Sequence, residues 1–470
     1  MFYHSQISPL YTDLYQLTMA QAYYQNGMHQ MHAGFDYFFR KIPYRGGFVV
    51  FAGMQELLHM VKDMRFMDTD LDYLQESGFD NSFINYLKDF SFNGTIISAR
   101  EGDVVFPFEP VARVEGTLLE TQLIETLLLN ILNFQSLVAT KAARIRNAAG
   151  GKKILSDFGL RRAQSFGALH ASRAAIIGGF DNTSNVLAAK RYKIPHSGTM
   201  AHSFIESFGD EESAFTAYAN SFPHESVFLV DTYNTLFSGI PKAIKVAKEM
   251  KKKGKKLKGI RLDSGDLAYL SKKAREMLDY EGFKDVKIVV SNQLDEYVVK
   301  SLLDQKAPID IFGIGTSMIT GKPDAALDGV YKLAFVDDNP VLKISDNLQK
   351  TTLPGRKKIL RYFDREGLFY ADAVVLANET DPERMINPFE KHKSLTLEGL
   401  KCEELYHVAM KNGEILSPEE TPAEINKRLK IRLNLLPEEH QRFDFPHIYK
   451  VGISEKLLRV RDDLLSKHKH

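Results

Sequence analysis

The sequence contains a single cysteine, Cys402, among its 470 residues. One cysteine excludes an intrachain disulfide framework and a cysteine-rich metal site. The chain also has almost no net charge, because 61 Lys and Arg balance 60 Asp and Glu. Nucleic-acid-binding domains usually carry a basic excess, so this balance argues against a nucleic-acid partner. The one clear basic run, KKKGKKLK at 251–258, follows a helical pattern and is interpreted as a solvated helix end.

The chain has no long uninterrupted hydrophobic run. Its most apolar stretch, 118–139, is broken by the polar residues Glu120, Gln122, Glu125 and Asn130, and is therefore a poor membrane span. The first residues lack the charged-then-apolar pattern of a secretory signal. These absences predict a soluble, cytoplasmic protein with no membrane partner.

Short apolar runs with polar, glycine-containing tips alternate with helical patterns through the middle of the chain. Their spacing of about 25–30 residues is typical of βα units in a parallel sheet. About seven such units favour an irregular βα barrel over an open, doubly wound sheet. The apolar runs occupy 152–159, 174–181, 227–234, 257–266, 286–293 and 310–317, with 331–337 as a seventh candidate.

This alternation of apolar runs and helical patterns is confined to the middle of the chain, which indicates more than one domain. The residues before it mix helix with aromatic, β-rich segments, and those after about 340 contain hairpin-like material and a helical pattern at 421–436. The sequence thus predicts an α/β protein with an irregular parallel βα barrel at 111–335. A second α+β, sandwich-like domain is predicted from an N-terminal segment, 1–110, and a C-terminal segment, 336–470.

Polar side chains directly follow the apolar runs, where parallel βα folds gather their chemistry. Any single Asp, Asn, Ser or Thr there is more simply interpreted as a helix N-cap. Arg161 and Arg261 are not capping residues, so the set as a whole predicts an active site. Its members are Asp157, Arg161, Asp181, Asn182, Asp231, Arg261, Asp263, Asp266, Asn292, Thr316 and Ser317.

Two of these tips suit phosphorylated ligands. The tip GIRLDSGDL places Arg261 and Asp263 together, and its carboxylates suit ribose hydroxyls or Mg²⁺. The alternative for this tip is a turn whose Asp266 caps the next helix. The tip FGIGTS offers backbone N–H groups and hydroxyls to a phosphate at Gly313, Gly315, Thr316 and Ser317, although a structural turn accounts for it equally well.

Two further positions suit binding and nucleophilic chemistry. Phe158 offers a face for a flat ring, or belongs to the core, and Arg161 offers a cationic fork for a carboxylate or phosphate. His202 and Asp231 follow different strands, and an Asp that bonds one imidazole nitrogen leaves the other nucleophilic. His202 and Glu206 have metal-like spacing, but no third ligand is nearby, so zinc is disfavoured and no metal ligand is assigned.

Taken together and in order, these motifs resemble a known family. The segments YTDLYQLTMAQAYY, DFGLRRAQ, GGFDNTSNVLAA, GTMAHSFIES, VDTYNT, RLDSGDL and FGIGTSM are similar to those of the nicotinate phosphoribosyltransferases, which are type II phosphoribosyltransferases. The resemblance runs from about Pro9 to at least Arg361.

The resemblance implies a reaction and an assembly. The family converts nicotinic acid, phosphoribosyl pyrophosphate and ATP to nicotinate mononucleotide, pyrophosphate, ADP and phosphate in NAD salvage. Glycosyl transfer coupled to ATP hydrolysis is classed as a ligase reaction. The resemblance also implies Mg²⁺ and a homodimer with shared active sites. It places a transient phosphohistidine at His202 and an orienting aspartate at Asp231.

The resemblance assigns the remaining site residues by motif. Phe158 would stack on the pyridine ring from its own subunit, and Tyr15 would stack on it from the partner subunit. Arg161, Asn182 and Thr183 would also lie on the nicotinate side. Asn182 stands at the position where the nicotinamide-using relative has an aspartate. An aspartate there would repel the carboxylate of nicotinic acid, whereas an asparagine need not, so nicotinic acid is the expected substrate. The phosphoribosyl side would comprise Arg261, Asp263, Gly313, Gly315 and Thr316.

Other functions compete with this one. A phosphoribosyltransferase that uses nicotinamide or quinolinate would share the fold. A catalytically silent homologue with a binding or signalling role is a different class, disfavoured by the intact His202, Arg261 and Asp263. A sugar-phosphate barrel enzyme such as an aldolase is weakened because the six firm units place no strand-end lysine for a Schiff base.

Overall fold

The computed structural model of the protein describes residues 7–345 and 350–467. The chain forms two compact units. The first combines both ends of the chain, residues 1–137, 326–420 and 427–470, and the second contains residues 138–325 and 421–426. A second domain built from both chain ends is therefore confirmed, while the domain limits given above stay a prediction.

The second unit contains a six-stranded parallel sheet. The last of its strands in the sequence pairs with the first, and the other pairs are sequential, so that one gap remains between the second and third strands. This order is that of an irregular, incompletely closed βα barrel, as predicted. In chain order the strands are β1 (Ile154–Asp157), β2 (Asn182–Thr183), β3 (Val227–Leu229), β4 (Gly259–Leu262), β5 (Lys287–Ser291) and β6 (Ile311–Ile314).

Helices cover the barrel strands through amphipathic faces. Ile240–Lys252 buries Ile240, Ile244, Ala247 and Met250, at the spacing that places side chains on one face of a helix. Such burial accounts for strands that are apolar on both faces. The unit's other helices are Gly167–Ile177, Val186–Tyr192, His202–Phe208, Glu211–Ser221, Leu267–Tyr280, Glu296–Asp304 and Thr316–Ile319.

One predicted strand is wrong. The apolar run 174–181 continues the helix Gly167–Ile177, in which every residue from Ala168 to Ile177 is buried. A helix that is buried all round has no polar period, so its end cannot be told from a strand by pattern alone. The barrel strand that follows it, β2, contains only two residues.

The seventh candidate, 331–337, is a strand but not a barrel strand. All but its last residue lies in Gly329–Val336, which pairs antiparallel with His32–Phe39 in the first unit. Tyr331 stacks on Phe35 with ring centroids 4.8 Å apart. Aromatic cross-strand packing, rather than a βα connection, fixes this strand.

The first unit is built on two larger sheets and a two-stranded ribbon, Val49–Val50 with Val104–Val105. The seven-stranded antiparallel sheet contains, in spatial order, Asn339–Pro340, Gly329–Val336, His32–Phe39, Ala112–Thr117, Thr95–Ser98, His407–Lys411 and Glu414–Ile415. The six-stranded sheet contains Ser394–Thr396, Arg384–Ile386, Val451–Ser454, Phe369–Leu376, Lys357–Phe363 and Cys402–Glu404. The predicted hairpin is the antiparallel pair Lys357–Phe363 and Phe369–Leu376.

Helices complete this first unit, and two of the helices, Glu125–Ala149 and Pro422–Leu435, are each divided between the two units. The helical pattern predicted from Thr117 forms two helices, Leu118–Leu123 and Glu125–Ala149, and Thr117 caps the first of them. Within the described ranges, no helix has both the length and the apolar character to cross a membrane. The remaining α-helices are Leu14–Gln25, Met54–Lys62, Asp68–Glu76, Asn81–Leu87, Pro422–Leu435 and Glu455–Lys467.

Candidate active site

Buried hydrogen bonds fix the turn after β1. The Asp157 carboxylate accepts hydrogen bonds from the Ser172 and Thr183 hydroxyls, each at 2.7 Å, and from the Gly159 N–H at 2.8 Å. Burial raises the pKa of Asp157, against these three donors, which favour the carboxylate. Asp157 and the buried Thr183 hydroxyl therefore hold the turn that carries Phe158.

Phe158 packs against the tip of β6. Its N–H donates to the Ile314 carbonyl at 2.9 Å, and a Cβ added to Gly313 would lie 2.5 Å from two atoms of its ring. The half-buried ring also has the guanidinium carbon of Arg261 5.4 Å from its centroid. Gly313 is thus required by the approach of this ring. The phosphate contact predicted for Gly313, Gly315 and Thr316 stays a prediction.

Arg261, on β4, connects the ends of β4 and β5 to the segment that precedes His202. Its Nε donates to Ser291 Oγ at 2.8 Å, its Nη1 to Thr199 Oγ1 at 2.9 Å, and its Nη2 to Asp263 Oδ1 at 3.0 Å. The Ser291 hydroxyl in turn donates to the same Asp263 oxygen. A guanidinium held at several nitrogens has a fixed direction, which suits recognition of a phosphate or pyrophosphate.

Asp231, which follows β3, holds the neighbouring tip. Its Oδ2 accepts hydrogen bonds from the Asp263 N–H and the Ser264 hydroxyl, both at 2.7 Å. Its Oδ1 is buried and has no hydrogen-bond partner within the part of the chain that the structure describes. An unpaired buried carboxylate oxygen is costly, so it points to a ligand or cation.

His202 is the first residue of the helix His202–Phe208 and lies beside the same group. Its Nδ1 is 3.1 Å from Thr232 Oγ1, and its Nε2 is 3.8 Å from Asp263 Oδ2. The hydrogen bonds found across residues 7–345 and 350–467 do not include one between His202 and Asp231. The residue after Asp231, Thr232, contacts the imidazole instead, and Asp231 contacts the Asp263 tip. The orienting role expected for Asp231 stays a prediction.

Asn182 and Asp181 differ in their bonding. Asn182 Oδ1 is buried and, among the described residues, without a hydrogen-bond partner, so it is free to meet a ligand. The Asp181 carboxylate is occupied, since it accepts from Arg146 Nη2 at 2.5 Å and from the Leu155 N–H at 2.8 Å. Asp181 therefore does not bring a free negative charge next to Asn182.

Three further predicted residues, Arg161, Tyr15 and Asp266, make no side-chain hydrogen bond to this network among the contacts found in the described ranges. Arg161 is exposed in the short helical turn Leu160–Arg162. Tyr15 is 47% exposed on the helix Leu14–Gln25 of the first unit, and its contact with a partner's site stays a prediction. Asp266 is a helix cap, because it accepts from the Tyr269 N–H at 3.0 Å.

Sequence reasoning missed the hydroxyl groups of the site, Ser291, Thr199, Thr232 and Ser264. The only available signal was position, since Ser291 ends β5 directly before the polar tip at Asn292. Serine and threonine are common at strand ends and helix caps, so position alone did not distinguish them.

A candidate Mg²⁺ site is consistent with the carboxylates present. The described residues contain no group of three or more His, Cys, Asp or Glu side chains placed to hold a metal ion. Mg²⁺ usually takes only one or two protein carboxylates, with phosphate oxygens and water completing its shell. Asp231, with its unpaired oxygen, and the adjacent Asp263 suit that role.

Comparison with known proteins identifies the family. The model described as the nicotinate phosphoribosyltransferase (NAPRTase) family matches residues 154–379, and models of that family's N-terminal and C-terminal domains match 10–133 and 356–461. Nicotinate phosphoribosyltransferase of Bacillus subtilis (strain 168) is 44% identical over 459 residues, covering 95% of this chain and 93% of the relative. The human enzyme of that name is 33% identical and covers 97% and 96%. The chain belongs to the nicotinate phosphoribosyltransferase family.

Solved structures agree in fold. The crystal structure of human nicotinic acid phosphoribosyltransferase superposes with a TM-score of 0.86 at 31% identity, covering 96% of this chain and 99% of that one. A nicotinate-nucleotide pyrophosphorylase from Pyrococcus furiosus superposes with a TM-score of 0.71 at 26% identity, covering 91% and 95%. These likenesses confirm the predicted α/β architecture.

Proposed function

We propose that this protein joins nicotinic acid to phosphoribosyl pyrophosphate, yielding nicotinate mononucleotide and pyrophosphate. The observation that carries the proposal is the group formed by Arg261, Asp263 and His202 beside the Phe158 ring, at the carboxyl ends of the barrel strands. The cation, the carboxylate and the aromatic face are functional groups that suit the two substrates, and the imidazole is a group that can accept a phosphoryl group from ATP. Family membership supports the same activity.

The site's charges suit the reaction. As pyrophosphate leaves, the C1 atom of the ribose becomes cation-like and the leaving group gains negative charge. Arg261, held by Ser291 and Asp263, would stabilise that charge with little reorganisation. Asp263 would bind the ribosyl pyrophosphate beside it. Phe158 would hold the pyridine ring so that its nitrogen faces C1.

We assign Mg²⁺ to Asp231 and Asp263. A bound Mg²⁺ would supply positive charge to the pyrophosphate group. The protein's own contribution is to hold Asp263 in place through its N–H, which donates to Asp231 Oδ2 at 2.7 Å.

ATP would act through His202. The imidazole attacks the terminal phosphoryl group of ATP, the bond from that phosphorus to the bridging oxygen breaks, and ADP leaves. Water later hydrolyses the phosphohistidine to phosphate. Half-exposed and next to Asp263, His202 is reachable by ATP and adjacent to the proposed pyrophosphate site.

Mononucleotide formation from phosphoribosyl pyrophosphate tests the function directly. The assay offers nicotinic acid, nicotinamide or quinolinic acid, each with and without ATP. Turnover of nicotinic acid alone, increased by ATP, is expected. Turnover of nicotinamide instead would support phosphoribosyl transfer but refute nicotinic acid as the substrate. No turnover with any base would point to a catalytically silent homologue.

Asn182→Asp is expected to reduce kcat/KM for nicotinic acid by at least about tenfold, because a new carboxylate would face the substrate's carboxylate. The buried, unpartnered Oδ1 of Asn182 supports its contact with the substrate. Steady-state kinetics with both bases measure the change, and Ser184→Ala is the matched control on the same turn. An unchanged preference between nicotinic acid and nicotinamide would show that Asn182 does not determine specificity.

We further propose a homodimer in which Tyr15 enters the partner's site. The helix that carries Tyr15 also exposes Leu14 and Met19, and Tyr11 is exposed just before the helix begins. Large exposed apolar patches usually mark interaction surfaces. The barrel unit exposes its own set after the strands β1 to β4, namely Leu160, Phe166, Val186, Leu187, Tyr233, Phe237 and Tyr269.

Complementation distinguishes shared from separate sites. Chains carrying Tyr15→Ala and His202→Ala are co-expressed with different tags, and only the mixed dimer is purified. If Tyr15 acts in the partner's site, about half of the sites are intact and ATP-stimulated activity returns. If Tyr15 acts in its own subunit, both sites stay defective. Each variant purified alone is the control.

A further inference from the structure

The segment from Pro195 to His202 is attached at both ends. At its start, the Thr183 N–H donates to the Pro195 carbonyl at 3.1 Å and the Ser197 N–H donates to the Thr183 carbonyl at 3.0 Å. At its end, His202 Nδ1 lies 3.1 Å from Thr232 Oγ1. Between these points the segment has its own side-chain contact with a barrel strand, from Thr199 to Arg261.

Gly198, in the middle of this segment, lies in open space. Among the described residues, an added Cβ at Gly198 would meet no atom within 4 Å. Its φ also lies outside the left-handed region. Glycine at this position therefore satisfies no steric demand and leaves the backbone free to move. Arg261 Nη1 then positions the middle of the segment, since it donates to the Thr199 hydroxyl at 2.9 Å and, over the longer distance of 3.5 Å, to the Met200 carbonyl.

Thr199 bonds to a nitrogen that a phosphate ligand would also use. Arg261 Nε and Nη2 donate to Ser291 and Asp263, which are themselves fixed at strand ends. Nη1 donates to Thr199 Oγ1 at 2.9 Å, and the Thr199 hydroxyl donates to the Met200 carbonyl at 3.3 Å. A phosphate at Arg261 would compete with Thr199 for Nη1, whereas it would leave the other two bonds intact.

We propose that Thr199 is a positioning residue that couples the His202 segment to Arg261. With its hydroxyl on Nη1, the segment lies against the strand ends and His202 stays near Asp263. When a pyrophosphate group takes Nη1, the segment is released at its centre and remains attached at both ends. The proposal rests on the function proposed above, because it links the nucleotide-facing histidine to the pyrophosphate-facing arginine.

The first test compares Thr199→Val with Thr199→Ser. Valine keeps the shape of threonine and loses the acceptor, whereas serine keeps the hydroxyl. The ratio of the rate with ATP to the rate without ATP is expected to fall roughly tenfold in Thr199→Val, as for loss of a hydrogen bond to a charged group. It should be largely retained in Thr199→Ser and in the control Ser203→Ala. An equal ratio in Thr199→Val and wild type would overturn the proposal, as would equal losses in the Val and Ser variants.

A second measurement does not depend on catalysis. Hydrogen exchange of the full-length protein, followed by mass spectrometry, reports the mobility of residues 197–201. Faster exchange is expected in free Thr199→Val than in free wild type, and inorganic pyrophosphate should increase exchange in wild type alone. Identical exchange in the two free proteins would refute the attachment. Absence of ATP stimulation in wild type would count against the phosphohistidine function, while the exchange experiment would still decide the role of Thr199.

Discussion

His202→Ala is expected to abolish the stimulation of mononucleotide formation by ATP, while a slower ATP-independent reaction persists. The imidazole is the nucleophile proposed to accept the phosphoryl group, and alanine offers no substitute. Phe158 and Arg261 are the groups proposed to bind nicotinic acid and phosphoribosyl pyrophosphate. They are held by contacts that do not include His202, so they should stay in place in the variant. The loss should therefore fall on ATP coupling rather than on all turnover.

Rates with and without ATP, together with protein-bound phosphate from ATP labelled in its terminal phosphate, measure this effect. Wild type should acquire acid-labile phosphate and His202→Ala should not. His196→Ala is the matched control, because His196 is an exposed histidine on the same segment. Full ATP coupling in the His202 variant would refute the phosphohistidine role.

The barrel was predictable because its strands are apolar on both faces and recur at the pitch of βα units. Val289 and Val290 in β5 are both buried, and adjacent buried valines are typical of a strand that is covered on both faces. The position of the strand β2 was not predictable, because a strand of two residues has no periodicity and the apolar run before it belongs to a buried helix. Tertiary packing decided between helix and strand there, and local pattern did not.

The site was predictable as a group of residues but not as a set of bonds. Arg261 and Asp263 were expected together because they leave the same strand, and they form an ion pair at 3.0 Å. The choice of Thr232 rather than Asp231 as the neighbour of His202 depends on how two loops meet. The same holds for the contact of Gly313 with the Phe158 ring. Such contacts join residues far apart in the chain, so sequence order does not specify them.

The largest stability effect is expected at Asp372, in the first unit. Its carboxylate accepts from Arg361 Nε at 2.9 Å and from the Tyr449 hydroxyl at 2.9 Å, and both Arg361 and Asp372 are fully buried. Asp372→Ala would leave the guanidinium buried without its counter-ion. The free energy of unfolding should fall by about 3–5 kcal/mol, the usual cost of breaking a buried ion pair. Denaturant unfolding monitored by circular dichroism measures the change.

Glu109 provides the contrasting variant, because it lies next to Asp372 and its charge is disfavoured. Burial, with the nearby Asp372 carboxylate, raises the pKa of Glu109 well above its ordinary value, and its Oε2 accepts from the Phe106 N–H at 3.0 Å. The protonated form can donate a hydrogen bond to Asp372. Glu109→Gln keeps that shape and a donor, so we expect it to change stability far less than Asp372→Ala.

The pH dependence of the free energy of unfolding tests whether Glu109 is protonated in the folded protein. A pKa raised in the folded state means that the native protein retains a proton that the unfolded chain releases. The contribution of Glu109 is therefore complete below its ordinary pKa and is lost as pH rises through the raised value. The free energy of unfolding of wild type should therefore fall as pH rises through this range, and this fall should be absent in Glu109→Gln. A decline of equal size in both proteins would show that Glu109 is charged in the fold, and the buried site would then contain two carboxylates opposite Arg361.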